Sequence, residues 1–305
     1  MKIVVTGASG FVGQSLVPYL RLHGHSVRSV VRVATKPEDI QVSDISSGLS
    51  ADSLTDVDAV IHLAAIAHRT GTAADSYMRT NRDGAVLLAQ QSAEAGVGRF
   101  IFFSTSKVYG EFSTEPFRKN DRLNPPDAYS ESKALAEQAI AGLDTYMTLS
   151  FVRPPVVYGP GVAGNVGQLV RAISRGMPIP VTRHPNARSL LSIDNLTSSV
   201  QTILTAPNLN GIFQPADHGT ISFEGLALTV ASALGKKPRL LRVPGVALAA
   251  AQTPLSALGQ QPFNAIFRDF ELYPDEDLLG AGWNQNTEMA EDISRTVADF
   301  ASIRN

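Results

Sequence analysis

The chain has 305 residues, of which 44% are hydrophobic and 18% charged, and its formal net charge is −2. This composition is typical of a globular protein with a large core, and it argues against a nucleic-acid scaffold, which needs a clustered basic surface. The sequence contains no cysteine, which excludes disulfides and thiolate metal sites, and its six histidines never fall at a metal-ligand spacing such as HExxH.

The first residues, MKIVV, predict a strand, which leaves no room for a signal peptide. The most apolar stretch, residues 243–259, is interrupted by Gln252 and Pro254 and falls short of a membrane span. The densest basic stretch, GKKPRLLR at residues 235–242, is expected to form a solvated loop and an edge strand. We therefore expect a cytoplasmic protein that has neither a membrane nor a nucleic acid as its partner.

The first half of the chain alternates strand and helix patterns. Short apolar runs rich in Val, Ile or Phe predict strands, and the helical patterns between them end near glycines. The strands are expected at 2–7, 25–32, 58–65, 99–105 and 147–154, and the helices at 11–23, 81–95 and 128–141. Near-continuous apolar strands separated by helices indicate a parallel sheet covered on both faces. The predicted fold is α/β, a doubly wound (Rossmann) parallel sheet with a smaller mixed α/β substrate lobe.

The second half is less regular. Residues 153–165 are rich in Pro and Gly, and a loop with Pro178, Pro180 and Pro185 is expected after a helix at 166–175. Residues 188–196 look like a return to the sheet, followed by a helix to about Leu204. Further helices are expected at 222–234 and 287–302. We expect a dinucleotide-binding domain formed by 1–158 plus 188–214, and a substrate lobe formed by 159–187 plus 215–305.

Three glycines, Gly7, Gly10 and Gly13, lie directly between the first predicted strand and the first helix. At this point of a parallel sheet, backbone N–H groups and the positive end of the helix dipole face an anion. Gly7 permits a tight turn, Gly10 lets a pyrophosphate approach, and Gly13 lets the helix pack closely on the strand. The GxxGxxG spacing departs from the commoner GxGxxG pattern, and a glycine-rich turn without a ligand is the alternative. We predict a dinucleotide site.

The end of the second strand bears on the choice of cofactor. An NAD site usually has an acidic residue there, whereas this chain has Val31 and then Arg32. A planar guanidinium suits a 2′-phosphate, so NADP(H) is favoured over NAD, with an exposed arginine that contacts nothing as the alternative. Asp44 lies where a carboxylate is able to meet the adenine amino group.

Tyr129 and Lys133 are four residues apart in a predicted helix and therefore share one face of it. The alternative is a solvated helical face. Forming a tyrosine phenolate at pH 7 costs about 4 kcal/mol, because the ordinary pKa is near 10. A nearby ammonium lowers that pKa, so the pair is suited to exchanging a proton with a sugar hydroxyl. The segment FIFFSTSKVYG, residues 100–110, supplies hydroxyls at the carboxyl end of the fourth strand.

The glycine-rich TGASGFVG, the Ser/Thr-bearing strand end before VYG, and the YxxxK spacing resemble the extended short-chain dehydrogenase/reductase superfamily. Within it, the chain is most similar to nucleotide-sugar 4-epimerases, such as UDP-glucose 4-epimerase, and to 4-ketohexose reductases. The similarity runs as far as LLGAGW, residues 278–283. The resemblance implies that Tyr129 is the general acid/base, that Lys133 holds the nicotinamide ribose and lowers the tyrosine pKa, and that Thr105 is the catalytic hydroxyl residue.

The resemblance also implies further contacts. Cofactor-lining positions, in addition to the glycines, Arg32, Asp44, Tyr129 and Lys133, are Phe11, Val12, Ile45, Leu63, Ala64, Ala65, Asn81 and Ser104. Positions on the substrate side are Ser106, Lys107, Asn165 and Arg188, of which the last two match diphosphate contacts. The alternatives are a helix N-cap for Asn81 and for Asn165, and a surface ion pair for Arg188.

The resemblance implies either a UDP-hexose or UDP-N-acetylhexosamine 4-epimerase or an NADPH-dependent 4-ketohexose reductase. A third hypothesis, of another class, is a non-catalytic NADP sensor, which the presence of Thr105, Tyr129 and Lys133 together disfavours. Dehydration is disfavoured, because sugar 4,6-dehydratases have Asp-Glu where this chain has Ser106 and Lys107. Arg32 favours the reductase slightly, and overall similarity favours the epimerase. The segment RPPVV, which begins at Arg153, has no asparagine, whereas many epimerases have one two or three residues after the corresponding arginine. The expected partners are a nucleotide-diphosphate sugar and a second copy of the chain in a homodimer.

Overall fold

The computed structural model of the protein describes residues 1–67, 72–182, 185–243 and 265–302. Apart from Val243, the apolar stretch 243–259 lies outside these ranges. Within them, no helix is long and apolar enough to cross a bilayer, and no group of three acidic or histidine side chains is placed to hold a metal ion.

A seven-stranded sheet forms the centre of the molecule. Its strands are β1 (Lys2–Thr6), β2 (Ser26–Val31), β3 (Ile40–Gln41), β4 (Ala59–His62), β5 (Arg99–Phe103), β6 (Thr148–Val152) and β10 (Gly211–Phe213). The order across the sheet is β10-β6-β5-β4-β1-β2-β3, and every neighbouring pair is parallel. The chain order reverses between β1 and β4, and ligands of such sheets bind at the carboxyl ends of the strands on either side of that reversal.

Helices cover both faces of this sheet, which confirms the doubly wound prediction. The α-helices of the described residues are α1 (Phe11–Leu22), α2 (Ala51–Leu54), α3 (Ala74–Tyr77), α4 (Gly84–Glu94), α5 (Ala128–Ala141), α6 (Asn165–Ser174), α7 (Ile193–Thr205), α8 (Phe223–Ala233), α9 (Glu276–Gly280) and α10 (Met289–Ser302). Three of them, α6, α8 and α10, share a separate core in the second lobe, to which Leu169, Leu226 and Ile293 belong. Leu16 of α1 and Leu196 of α7 share one core with Ile101. Leu88 of α4 and Ile140 of α5 belong to another core on the opposite face.

Two small parallel sheets lie outside the main one: β7 (Val156–Tyr158) with β9 (Leu190–Ser192), and β8 (Pro178–Val181) with β11 (Arg239–Arg242). Two predictions were therefore wrong. Residues 188–196 do not return to the main sheet, because β9 pairs with β7 and β10 completes the main sheet. The segment with Pro178 and Pro180 is a strand rather than a loop, since prolines are tolerated in the edge strand of a two-stranded sheet. The domain limits stay a prediction.

Arg99, the first residue of β5, is a buried cation that fixes the end of α7. Its guanidinium donates to the carbonyl oxygens of Ile203, Ala206 and Leu209 at 2.8–3.0 Å. Burial lowers the pKa of Arg99. Carbonyls at the carboxyl end of a helix have no partner within the helix and carry partial negative charge, so the arginine satisfies them and ties α7 to β5.

Glu137 and Arg153 form a buried ion pair between α5 and the residue that follows β6. Both side chains are almost fully buried, at 5% and 4% exposure. Nε of Arg153 donates to both carboxylate oxygens of Glu137, at 3.1 and 3.0 Å, and Nη1 donates to the carbonyl of Lys119 at 3.0 Å. Such a pair is stable only because each partner neutralises the other.

Candidate active site

The glycine loop forms a tight turn at the carboxyl end of β1. Gly7 has φ +69°, and a Cβ there would lie 2.7 Å from the amide nitrogen of Ala64, so only glycine fits. A Cβ on Gly13 would lie 2.4 Å from the carbonyl oxygen of Gly7, which fixes the close approach of α1. Gly10 is the N-cap of α1 and leaves the N–H groups of the first turn without a side-chain cap.

These features fit a dinucleotide. The uncapped first turn of α1, which includes Phe11 and Val12, offers backbone donors and a positive dipole end to a pyrophosphate. Arg32 is exposed immediately after β2. The carboxylate of Asp44 accepts from the backbone N–H of Ser46 at 2.9 Å and caps the short 3₁₀ turn that begins at Ile45, so one of its oxygens already has a structural role.

Gly13→Ala is expected to destabilise the protein by about 1–3 kcal/mol, because the new methyl group overpacks the turn at Gly7. Cofactor affinity should fall as well. Urea unfolding and calorimetric titration with NAD⁺ measure both effects. Gly280→Ala is the matched control, since a Cβ there meets nothing within 4 Å. Unchanged stability and cofactor binding in Gly13→Ala would contradict the assigned close approach.

The loop after β4 packs against β1 and α5. The amide of Leu63 donates to the Thr6 carbonyl and the amide of Ala64 to Thr6 Oγ1, both at 3.2 Å, and Ala65 is exposed. Asn81 lies in a π-helical turn, Met78–Asp83. Its side chain binds both the N–H and the carbonyl of Ile66 and donates to Ser132 Oγ at 3.2 Å. Asn81 is thus a clamp between this loop and α5 rather than a helix cap.

His62, at the end of β4, was not singled out from the sequence. It is fully buried, its Nδ1 lies 2.8 Å from Thr6 Oγ1, and its Nε2 has no hydrogen-bond partner among the residues that the structure describes. Burial lowers the pKa of His62 to about 3, and the charge of Lys133 acts in the same direction. The ring is therefore neutral at physiological pH, which keeps a second positive charge away from Lys133.

The predicted hydroxyl residues follow β5 directly. Thr105 is half-buried and caps the 3₁₀ turn Ser106–Val108, because its Oγ1 accepts from the N–H of Lys107 at 3.3 Å. Ser104 is 5% exposed, and no hydrogen-bond partner of its Oγ lies in the described part of the chain. Ser106 is buried and its amide donates to the carbonyl of Pro154. Thr105 is therefore the most accessible of the three.

Tyr129 and Lys133 lie one turn apart on α5, as the spacing predicts. The ammonium of Lys133 is buried and donates to the carbonyl of Phe103 at 2.7 Å. Phe103 precedes Thr105 by two residues, so this bond brings α5 to the end of β5. Tyr129 is half-buried, with the ring of Tyr77 edge-on at 6.1 Å. The three predicted catalytic residues therefore lie on two elements that are joined by a direct hydrogen bond.

The predicted lowering of the Tyr129 pKa is wrong for the protein chain alone. Burial raises the pKa of Tyr129 to about 12, and the negative charge of Asp127 and the neighbouring Tyr77 add to this increase. The four-residue spacing correctly predicted that Tyr129 and Lys133 share one face of a helix. It did not reveal that the ammonium of Lys133 turns to the Phe103 carbonyl, or that a carboxylate lies near the phenol.

Lys133 has the opposite shift. Burial lowers its pKa from 10.5 to about 7, although Glu137 acts to raise it. Between pH 7 and 10.5, the unfolded chain keeps a proton on Lys133 that the folded protein has lost. The free energy of unfolding should therefore rise with pH across this window, by at most about 1.4 kcal/mol per pH unit.

Urea unfolding of the wild type and of Lys133→Met at pH 7, 8 and 9 tests this expectation. The stability of the wild type should increase relative to the variant as the pH rises, since the variant lacks the titrating group. A difference that stays constant with pH would contradict the lowered pKa.

Arg188 and Asn165 line one cavity of about 60 Å³ outside the main sheet, together with Val156, Leu190 and Phe223. The guanidinium of Arg188 donates to the carbonyl of Arg268 at 2.8 Å and lies 5.5 Å from the centre of the Phe270 ring. Burial lowers the pKa of Arg188 to about 10, with Asp269 acting to raise it. Asn165 is the first residue of α6, and the N-cap of that helix is Gly164, so the N-cap alternative for Asn165 does not hold.

Two further residues of the site were missed. Asp127 is the N-cap of α5 and forms a capping box with Ser130, a signal that the D-x-x-S spacing contains. Glu137 follows Lys133 by four residues and therefore lies on the same face of α5 as Tyr129. Its importance depends on Arg153, which only the fold brings near.

Known proteins resemble this chain in sequence and in fold. The NAD dependent epimerase/dehydratase family matches residues 3–214. UDP-glucose 4-epimerase of Vibrio cholerae is 37% identical over 260 residues, which cover 80% of this chain and 79% of that protein. Ceramide reductase of Caulobacter vibrioides is 28% identical over 309 residues, covering 95% and 88%. UDP-glucuronic acid 4-epimerase from Bacillus cereus in complex with NAD has a similar fold, with a TM-score of 0.81 at 17% identity over 100% of both chains.

Proposed function

Because the chain belongs to the NAD dependent epimerase/dehydratase family, we propose that it interconverts the C4 epimers of a UDP-hexose or UDP-N-acetylhexosamine. It is an enzyme of the extended short-chain dehydrogenase/reductase type. The observation that carries the proposal is the arrangement of Thr105, Tyr129 and Lys133 on two joined elements at the carboxyl edge of the sheet. The 37% identity to an epimerase of UDP-glucose supports the same substrate class.

In this function, Tyr129 as a phenolate accepts the proton of the sugar 4-hydroxyl and later returns it, and Thr105 holds that hydroxyl by a hydrogen bond. Because the pKa of Tyr129 is raised in the protein chain alone, formation of the phenolate would need a further positive charge nearby, which the oxidised nicotinamide ring would supply. Lys133, fixed by the Phe103 carbonyl, keeps further donors for the ribose hydroxyls of the cofactor. A bound nicotinamide dinucleotide supplies the hydride acceptor for C4. The uncapped first turn of α1 and the close-packed Gly7 and Gly13 hold its pyrophosphate.

Arg188 and Asn165 hold the diphosphate of the substrate. A guanidinium that is partly desolvated against Phe270 gains from pairing with an anion, and its planar donors match phosphate oxygens. Apolar neighbours such as Val156 and Leu190 line the same cavity, whose volume of about 60 Å³ is smaller than a nucleoside needs, so we assign only the diphosphate to this place. The direct hydrogen bond to the Arg268 carbonyl holds the guanidinium in place.

The purified enzyme should convert UDP-galactose to UDP-glucose without consuming added cofactor. Chromatography of the sugar nucleotides measures the conversion. A 4-ketohexose reductase, the second candidate, would instead oxidise one NADPH for each product formed. The exposed Arg32 is the observation that favours this candidate. Failure to interconvert either UDP-glucose with UDP-galactose or their N-acetyl counterparts would refute the epimerase.

We also infer that the enzyme accepts NADP(H), because Arg32 stands where an acidic residue would otherwise repel a 2′-phosphate. Arg32→Ala should weaken NADP⁺ binding about tenfold and leave NAD⁺ binding unchanged in calorimetric titrations, since only NADP⁺ has the extra phosphate. Arg239→Ala, at another exposed arginine on β11, is the matched control. Equal losses for both cofactors would contradict the inference.

The resemblance further favours a homodimer. The exposed faces of α4 and α5 form one groove, lined by residues that include Val86, Leu87 and Leu135. Light scattering of the purified enzyme measures its mass in solution and tests this proposal.

A further inference from the structure

One ion pair joins the two segments that hold the proposed catalytic residues. Nζ of Lys107 lies 2.7 Å from Oδ2 of Asp127. Lys107 belongs to the 3₁₀ turn capped by Thr105, whose Oγ1 accepts the Lys107 N–H. Asp127 caps α5 two residues before Tyr129, with Oδ1 accepting from the N–H of Ser130 at 2.8 Å. The ion pair is therefore a second link between the Thr105 segment and α5. It joins the residue after Ser106 to the N-cap before Tyr129, whereas the Lys133 bond joins Phe103, before Thr105, to a residue after Tyr129.

The pair is partly buried, so solvent and salt screen its charges less than they screen those of an exposed pair. The side chain of Lys107 is 30% exposed and that of Asp127 14%. Burial alone would raise the pKa of Asp127, but hydrogen bonds from Lys107 and Ser130 outweigh burial and lower the pKa to about 2. Asp127 is therefore an anion at neutral pH.

The Tyr129 hydroxyl responds to this anion. After burial, the charge of Asp127 is the next cause of the raised pKa of Tyr129, followed by Tyr77. Among the described residues, the titratable groups that act on the phenol are Asp127, the N-cap of its own helix, and Tyr77 from α3. Lys107, from the turn after β5, contacts Asp127, and Lys133 lies one turn further along α5. Lys107 is the cation in direct contact with the carboxylate, so it reduces the repulsion between that carboxylate and a phenolate.

We propose that Lys107 and Asp127 are a positioning pair for proton transfer: Lys107 screens the Tyr129 hydroxyl from the Asp127 carboxylate and holds the Thr105 turn against the start of α5. The proposal rests on the proposed function and gives Lys107 a role other than the substrate contact expected from the sequence. The ion pair has an electrostatic and a geometric effect, and a pH profile distinguishes them. The electrostatic effect moves the acid limb along the pH axis, whereas a geometric effect lowers the rate at every pH.

The test is the pH dependence of kcat/KM for UDP-galactose in the wild type, Lys107→Met, Asp127→Asn and the double variant. In Lys107→Met the acid limb should move to higher pH by about one unit, a tenfold loss on that limb, because the carboxylate is unscreened. In Asp127→Asn it should move to lower pH, and asparagine keeps the helix cap. Lys107→Arg should restore the wild-type profile.

The double variant decides between roles. If Lys107 acts through Asp127, replacing it in the Asp127→Asn background should not move the acid limb. An unchanged acid limb in both single variants overturns the proposal. A loss of kcat/KM on replacing Lys107 with methionine that persists in the Asp127→Asn background also overturns it, since Lys107 would then act on the substrate or on the fold alone.

A second measurement is independent of the substrate. In protein labelled with ¹³C at the tyrosine ζ carbon, the Tyr129 resonance, identified by its loss in Tyr129→Phe, should begin to titrate at lower pH in Asp127→Asn than in the wild type. Identical titrations would overturn the pairing even if epimerase activity were present. Wild-type enzyme inert towards UDP-hexoses, with the titrations shifted as expected, would overturn the proposed function and leave the pair supported.

Discussion

Replacing Tyr129 with phenylalanine is expected to reduce kcat for UDP-hexose interconversion by about 10²–10⁴-fold, the usual loss on removal of a general acid/base. The ring remains, so its contact with Tyr77 and the packing of α5 should be retained. KM and the free energy of unfolding should therefore change little. Steady-state kinetics and urea unfolding of the same preparation measure the three quantities.

Tyr146→Phe is the matched control, because Tyr146 is fully exposed and lies after α5. It should have wild-type kinetics. A Tyr129→Phe variant with wild-type kcat would refute the assignment of the phenol as the proton-transfer group. A loss confined to KM would instead indicate that Tyr129 only binds the sugar.

Replacing Arg153 with methionine is expected to destabilise the enzyme by about 3–5 kcal/mol, because the carboxylate of Glu137 is then left buried without its counter-ion. Glu137→Gln should have a similar effect by leaving the guanidinium unpaired. Urea unfolding midpoints measure the losses. For Arg153→Met, the bond to the Lys119 carbonyl and the contact with the Tyr109 ring, 5.0 Å away, are lost as well.

The double variant Glu137→Leu with Arg153→Met should recover much of the loss, since no buried charge remains. Lys2→Met is the control: the Lys2–Asp56 pair is exposed at 3.5 Å, and its removal should change stability by less than about 1 kcal/mol. Equal effects of Arg153→Met and Lys2→Met would show that the buried pair is not a structural requirement.

The parts of the fold that were predictable depend on local pattern. Apolar runs such as 99–105 and the glycines that end helices predicted five of the seven strands of the main sheet, and the longer helices between them, to within a few residues; β3 and β10 are too short to give such a pattern. The YxxxK spacing placed Tyr129 and Lys133 on one face of α5, since helical geometry fixes which residues share a face. Gly7 and Gly13 were predictable because only glycine fits those two positions.

The remaining features depend on contacts between residues far apart in sequence. Leu190–Ser192 has the apolar pattern of a strand, but that pattern does not name its partner, which is β7 and not the main sheet. The pKa of Tyr129 depends on desolvation and on Asp127, and neither follows from the distance to Lys133 along the chain. The Glu137–Arg153 pair joins α5 to β6, so neither residue alone signals it.

The position of β10 at the edge of the main sheet bears on synthesis of the chain. β10 pairs with β6, although α6, β8 and α7 lie between these two strands in the sequence. Arg99 of β5 likewise donates to the carbonyl of Leu209, which is synthesised 110 residues later. While the ribosome is adding residues 153–210, the nascent chain therefore exposes an open sheet edge and the apolar surface that α7 later covers. Until β10 and α7 are in place, the unpaired edge and the exposed apolar surface make the chain prone to aggregation.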